Sequence, residues 1–159
     1  MVRALGVIFA GVVVAGAAFA QAQKVDPRDA AAIDACIKEV RGKNRDAETC
    51  IGTVANACLS ETAGQAVARA EACYNREHLV WEELLAVTYE RLRKGLQATQ
   101  VAKLQASHKV WSEARKLGCE FYWEFLRGTA ASPLASACYM RETASRAIYL
   151  QFFADYSKK

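Results

Sequence analysis

Apolar residues recur every three or four positions along most of the chain, which is the period of an amphipathic helix. The clearest stripes cover 67–96 and 101–125, and no comparable stretch alternates with the period of two that strands show. The two prolines, at positions 27 and 133, both fall where a helix is expected to begin. The pattern therefore predicts an all-α protein.

Start and stop signals divide this pattern into five helices. Asp26 and Pro27 form a cap followed by a proline in the first turn, and Gly42 ends that first helix. The other helices are predicted at about 45–59, 64–96, 99–125 and 134–156. The third and fourth helices have the spacing of a long antiparallel pair. The stretch 127–132, with a glycine and small polar residues, is the clearest loop.

Residues 1–20 have the composition of a secretory signal peptide. Arg3 precedes an almost wholly apolar run, and a small-x-small cleavage site lies before Gln21. An uncleaved anchor is the alternative, because the run approaches the length of a membrane span. Small residues dominate the run, so we expect cleavage. The mature protein is then a single helical domain, 21–159, with no membrane segment.

Six cysteines follow the signal segment. In an exported protein they favour disulfides, whereas in a cytosolic protein they would favour metal binding or catalysis. A metal site needs close pairs such as Cys-x-x-Cys, which the sequence lacks. Six cysteines allow fifteen pairings, but the spacing suggests sequential bridges that each close a loop of about fifteen to twenty residues. The suggested pairs are Cys36 with Cys50, Cys58 with Cys73 and Cys119 with Cys138.

The charge pattern and the candidate catalytic or metal-binding residues argue against several classes of function. The formal net charge is +4, and acidic and basic residues are interspersed along the chain. Because the sequence has no stripe of basic residues interleaved with aromatic ones, it gives little support to nucleic-acid binding. His78 and Glu82 have metal-ligand spacing, but without a third ligand an exposed helical ion pair is the commoner arrangement. Ser107 and His108 are helical neighbours that face different directions, and no nucleophile elbow accompanies them. The sequence thus predicts a protein that is not an enzyme and that binds neither a metal ion nor a cofactor.

Two arginines fall on faces that are expected to be buried. Arg115 shares a stripe with Trp111, so its guanidinium should lie partly against the core, which requires a carboxylate partner. Glu82 and Glu142 are the candidate partners. Arg146, on the last helix, is also expected to be partly buried and to require a carboxylate partner. A structural role in fixing helix register is favoured for both arginines over direct ligand contact.

The same residues carry two longer motifs. The first is a tryptophan, an arginine four residues later and a cysteine four after that, then a glycine loop, a second cysteine and Thr-x-x-Arg-x-x-x-Leu. Its positions here are Trp111, Arg115, Cys119, Gly128, Cys138, Thr143, Arg146 and Leu150. The second is a cysteine followed by acidic-x-x-Leu-Asn-x-x-Tyr, with alanine here in place of the asparagine. Its positions are Cys73, Glu82, Leu85 and Tyr89.

In these motifs, over about 50–152, the chain resembles the LprI-like lysozyme inhibitors, a family of small secreted bacterial domains. The resemblance implies a disulfide-linked helical domain outside the cytoplasm, periplasmic or extracellular. It also implies binding to a lysozyme or another envelope protein. Lysozymes are commonly cationic, so a positively charged inhibitor would depend on local shape for its affinity.

The candidate binding loop consists of Arg127, Gly128, Thr129 and Ser132. It is short, and the expected bridge between Cys119 and Cys138 would hold it in a preformed conformation. A plain interhelical turn is the alternative. The competing function is an envelope structural or stress-related interaction module without inhibitory activity. Such a module would display Phe121, Trp123 or Phe153 to a protein partner, and the sequence leaves the oligomeric state open.

Overall fold

A computed structural model of the protein describes residues 24–61 and 67–156, which form five α-helices and one 3₁₀ turn. The helices are α1 Pro27–Gly42, α2 Thr53–Glu61, α3 Val67–Gly95, α4 Ala98–Phe125 and α5 Ala131–Tyr156. The 3₁₀ turn, Ala47–Cys50, precedes α2. The described parts contain no strand, so the all-α prediction is confirmed. The predicted signal peptide, 1–20, lies outside the described residues.

The first helix begins and ends where its sequence signals indicated. The Asp26 carboxylate accepts a hydrogen bond from the backbone N–H of Arg28 at 2.9 Å, which satisfies one of the free donors of the first turn. Pro27 follows at the first helical position, where its missing N–H is not needed. The helix ends at Gly42.

The prediction of one continuous helix over about 45–59 was wrong. Gly52 has a φ of 97°, a conformation that residues with a Cβ rarely adopt, and this break separates the 3₁₀ turn from α2. A Cβ at Gly52 would also lie 2.7 Å from the side-chain amide nitrogen of Asn56. Cys50 and Cys58 therefore do not share one helical face.

Two other helix starts differ from the predictions by one to three residues. The fourth helix begins at Ala98, one residue before the predicted start, and the Gln100 side chain accepts from the backbone N–H of the capping residue Gln97 at 3.0 Å. The fifth begins at Ala131 instead of about 134. Because Pro133 is compatible with the first turn of a helix, the helix extends back and includes Ser132, which the prediction had placed in the loop.

The central element of the fold is α5, which contacts both α3 and α4. Contacts between His78 and Thr143 and the shared cavity wall of Leu96 and Phe153 show that α3 and α5 run parallel. Their interface is the most extensive between any two of the described helices, and several of its side chains are small and fully buried. These are Thr88 on α3 and Ala135, Thr143, Ala144 and Ala147 on α5.

The helices α3 and α4 are antiparallel as predicted, but they do not pack closely against each other. The fourth helix packs more extensively on α5 than on α3, and it meets α3 mainly through long side chains. Only Cys119 of α4 is fully buried, and Phe125, at the end of its predicted core stripe, is exposed. Trp81 is fully buried, whereas Trp111 is only partly buried.

Three disulfides cross-link these helices, and they pair the cysteines as their spacing suggested. Cys36–Cys50 joins α1 to the 3₁₀ turn, Cys58–Cys73 joins α2 to α3, and Cys119–Cys138 joins α4 to α5. All six cysteines are thereby used. The last bridge lies about two helical turns from the α4–α5 loop on both sides, so it fixes the ends from which the loop extends.

A buried carboxylate from α3 caps the start of α2. The Glu77 side chain is 0% exposed. One oxygen accepts from the Gly52 backbone N–H at 2.7 Å and from the Trp81 indole N–H at 2.8 Å. The other accepts from the backbone N–H groups of Val54 at 2.8 Å and Ala55 at 2.7 Å. Glu77 thus supplies, from another helix, the acceptor that the first turn of α2 lacks.

Candidate functional site

Arg115 links the three long helices. Its Nη1 donates to a carboxylate oxygen of Glu82 on α3 and to the hydroxyl of Thr143 on α5, the latter at 2.6 Å. The Arg115 side chain is only 16% exposed. Of the two carboxylates considered as partners from the sequence, Glu82 forms the pair, and Glu142 is exposed elsewhere on α5. Arg115 therefore fixes the relative positions of α3, α4 and α5.

Aromatic rings surround the same guanidinium. The Arg115 Cζ lies 4.7 Å from the ring centroid of Trp111 and 5.6 Å from that of Tyr139, distances at which cation–π attraction operates. The buried Nε of Arg115 has no hydrogen-bond partner within the described structure. Tyr139 was not singled out from the sequence, because its proximity to Arg115 depends on how α4 packs on α5.

His78 completes this polar cluster. Its Nε2 lies 3.1 Å from both the Glu82 carboxylate and the Thr143 hydroxyl. The bond to His78, with a further contribution from Arg115, lowers the pKa of Glu82 to about 2. Across residues 24–61 and 67–156, no group of three His, Cys, Asp or Glu side chains is arranged to hold a metal ion. The cluster is a hydrogen-bonded network that connects α3, α4 and α5.

This network makes the stability of the protein sensitive to acid. Because the folded pKa of Glu82 is lower than the ordinary value of 4.5, its contribution is fully present above about pH 4.5 and is lost as the pH falls through about 2. We expect the difference in unfolding free energy between wild type and Glu82→Gln to shrink over that range. Urea denaturation at several pH values measures it. A difference that stays constant would contradict the role given to the Glu82 charge.

Arg146 lies close to this cluster but has a different environment. It is 9% exposed, and its Nη2 donates to the Ser107 hydroxyl at 3.0 Å. Its Cζ lies 5.6 Å from the ring centroid of Trp111 and 5.4 Å from that of Tyr149. Burial lowers the pKa of Arg146. The expectation of a carboxylate partner is met for Arg115 only, since Arg146 forms no ion pair with any residue that the structure describes.

His108 stands between the rings of the two motif aromatics. Its ring centroid is 4.6 Å from that of Tyr89 and 5.1 Å from that of Trp111. Burial, with smaller contributions from Arg146 and Arg115, lowers the pKa of His108. Its buried Nδ1 has no hydrogen-bond partner in the described structure.

The candidate loop follows the C-terminal end of α4, whereas His108 and Trp111 lie near the middle of that helix. Arg127, Gly128 and Thr129 are exposed, Ser132 is partly buried in the first turn of α5, and Gly128 has a φ of 96°. Arg127 follows Arg115 by twelve residues, roughly 18 Å along a helix. The structure therefore does not bring the loop and the Arg115 cluster together.

Residues 55–150, more than half of the chain, match the family model described as lysozyme inhibitor LprI. The chain belongs to the LprI family. A search among curated proteins and a search among solved structures each found no match. The resemblance inferred from the sequence motifs is therefore confirmed at the level of the family.

The LprI match includes the motif residues predicted from the sequence, and the structure shows how they are arranged. Polar and aromatic members of the motif line the contact between α4 and its two neighbours. They are Glu82, Tyr89, Trp111, Arg115, Thr143 and Arg146. Leu85 and Leu150 lie in the hydrophobic core beneath them. In this LprI chain the motif is therefore chiefly the interface between helices.

Family membership and the disulfides bear on where the protein functions, and family membership also bears on its broad class. Three disulfides and the LprI family indicate a protein that functions outside the cytoplasm. The family is described by inhibition of an enzyme, not by catalysis. Among the helices that the structure describes, none is both long enough and apolar enough to cross a membrane.

Proposed function

We propose that this protein is an exported, non-enzymatic binding protein that inhibits a lysozyme or a related glycan hydrolase. The observation that carries the proposal is the LprI family match over 55–150. We also propose that the protein matures by removal of 1–20 and acts as one domain in the periplasm or outside the cell. The match covers α3, α4 and most of α5, and it therefore includes the loop between α4 and α5.

The α4–α5 loop is the surface that best suits an enzyme cleft. Arg127, Gly128 and Thr129 are exposed at the end of the helical bundle. The Cys119–Cys138 bridge holds the helices on both sides, which reduces the conformational freedom that the loop would lose on binding. A narrow, preformed loop at the end of two helices has a shape that is complementary to a groove.

Arg127 gives this loop a suitable charge. Most glycoside hydrolases place two carboxylic acids on either side of the bond that they cleave. An exposed guanidinium at the tip of an inserted loop can form bidentate hydrogen bonds with such a carboxylate. The interaction is local, so it does not depend on the overall net charge of +4, which would not attract a cationic lysozyme.

Exposed aromatics beside the loop supply apolar contact area. Phe121 is 61% exposed, Phe125 is 72% exposed, and their ring centroids are 5.8 Å apart. Trp123, in the same segment, is 48% exposed. Aromatic side chains are enriched among the residues that contribute most to protein–protein binding. An enzyme that accepts the loop would meet these rings at the edge of its groove.

Lysozyme activity measured with the purified, oxidised protein tests the proposal. Wild type should inhibit, whereas Arg127→Ala should weaken inhibition by about tenfold or more. Thr129→Trp should abolish most of it, because the loop would no longer fit a narrow cleft. Lys94→Ala is the matched control, since Lys94 is an exposed cation at the opposite end of the bundle. It should inhibit like wild type.

If wild type does not inhibit lysozymes, a second function is favoured. Four aromatic residues at the end of α5 are exposed to different degrees and contact one another ring to ring. They are Tyr149, Phe152, Phe153 and Tyr156. A patch of this kind favours an envelope interaction module that binds a protein partner without inhibiting an enzyme. If wild type leaves lysozymes of several types active at high micromolar concentration, this second function replaces the first.

A further inference from the structure

A cavity of about 270 Å³ lies where α3, α4 and α5 meet, near the short connection between α3 and α4. Most of its wall is apolar, and the polar part of the wall carries positive charge. The apolar wall includes Leu96, Leu104, Leu150 and Phe153, and the polar side chains are Lys103, Ser107 and Arg146. Among the residues that the structure describes, no acidic one lines this cavity.

Arg146 is the feature of this wall that requires an explanation. It is 9% exposed, but the group that accepts its hydrogen bond, the Ser107 hydroxyl, carries no negative charge. Its Nε is buried with no partner in the described structure. A buried guanidinium without an anion is costly, and two ring faces compensate it only in part. The arginine thus has unused capacity to bind an anion, unlike Arg115, which Glu82 neutralises.

The second cation strengthens the case for an anion. Lys103 lies on the same wall, one helical turn before Ser107 on α4. Two cations and a hydroxyl at one side of an apolar cavity match a ligand with a negative head group and an apolar body. The volume corresponds to about nine water molecules, so the ligand is small.

We propose that this cavity binds a small amphipathic carboxylate. Its head group pairs with Arg146, accepts from Ser107 and faces Lys103, and its apolar body lies against Leu104 and Leu150. Such a carboxylate has two sources, a free aliphatic acid or the C-terminus of an apolar peptide. The proposal does not depend on inhibition of a hydrolase.

Calorimetric titration of the purified, oxidised protein tests the proposal with matched pairs of probes. Octanoate is compared with octanol, and the dipeptide N-acetyl-leucyl-phenylalanine is compared with its C-terminal amide. Within at least one pair, the carboxylate should bind about tenfold more tightly than its neutral counterpart. The pair that shows the larger difference identifies the source. If neither pair shows a difference, the proposal is wrong.

Two variants assign the binding to this cavity. Arg146→Gln should lower the affinity for the carboxylate by about tenfold, whereas Arg141→Gln, which removes an exposed cation from the same helix, should change it little. Leu104→Trp would fill the cavity and leave Arg146 in place, and it should abolish binding even if Arg146→Gln does not fold. Unchanged affinity in Leu104→Trp would place any bound carboxylate elsewhere and overturn the proposal.

Discussion

Replacing Glu77 with glutamine should lower the free energy of unfolding by about 3–5 kcal/mol. The carboxylate accepts four N–H hydrogen bonds, from Gly52, Val54, Ala55 and the Trp81 indole. A glutamine of the same shape keeps one oxygen but places an NH₂ group where the other two donors point. At least two buried N–H groups would then face a donor. Urea denaturation followed by circular dichroism measures the loss.

The control for this change is Glu83→Gln, a substitution of the same type at an exposed position of the same helix. It should alter the unfolding free energy by less than about 0.5 kcal/mol. Hydrogen exchange adds a local test. The amides of Val54 and Ala55 should exchange faster in Glu77→Gln, because the start of α2 loses its acceptor. Equal stability of the two variants would contradict the capping role of Glu77.

Replacing Arg115 with alanine should lower the free energy of unfolding by about 2–4 kcal/mol. The change removes the partner of Glu82 and the donor to Thr143, and it leaves Trp111 and Tyr139 without the group that packs between them. Glu82 is partly exposed, so water compensates some of its lost pairing and keeps the loss below that of a fully buried pair.

Lys116→Ala is the matched control for this second prediction. Lys116 is the next residue of α4 and pairs with Glu120, but Lys116 is exposed and Glu120 is partly exposed. Its loss should leave the unfolding free energy close to that of wild type, because solvent screens an exposed ion pair. Arg115→Lys should recover only part of the stability, because an ammonium group lacks the planar face that stacks on Trp111. An Arg115→Ala protein that unfolds like wild type would show that the buried network contributes nothing.

The sequence predicted the features that depend on neighbouring residues. Helical periodicity, the Asp26 cap and Gly42 located α1, and cysteine spacing suggested the three pairs. It did not predict the start of α2, because the break at Gly52 is held by Glu77, a residue 25 positions later in the chain. It also missed the central position of α5, because burial around that helix leaves no single apolar face.

The same distinction applies to the candidate site. Arg115 and Glu82 fall on facing stripes of two helices joined by a short turn, so the pattern made Glu82 one of two candidate partners, and the structure shows that it forms the pair. Thr143 and Tyr139 come from α5, and their contacts with Arg115 depend on three-dimensional packing. The lack of an acidic partner for Arg146 could not be predicted either, since any of several acids was within reach along the chain.

The order of the disulfides has a consequence for export. Each cysteine pairs with the next one along the chain, at sequence separations of 14, 15 and 19 residues, so no bridge encloses or interlocks with another. A chain that crosses a membrane N-terminus first can therefore close each bridge as soon as its second cysteine emerges. An oxidant that joins successive cysteines then produces the native set directly, and we expect no dependence on a disulfide isomerase.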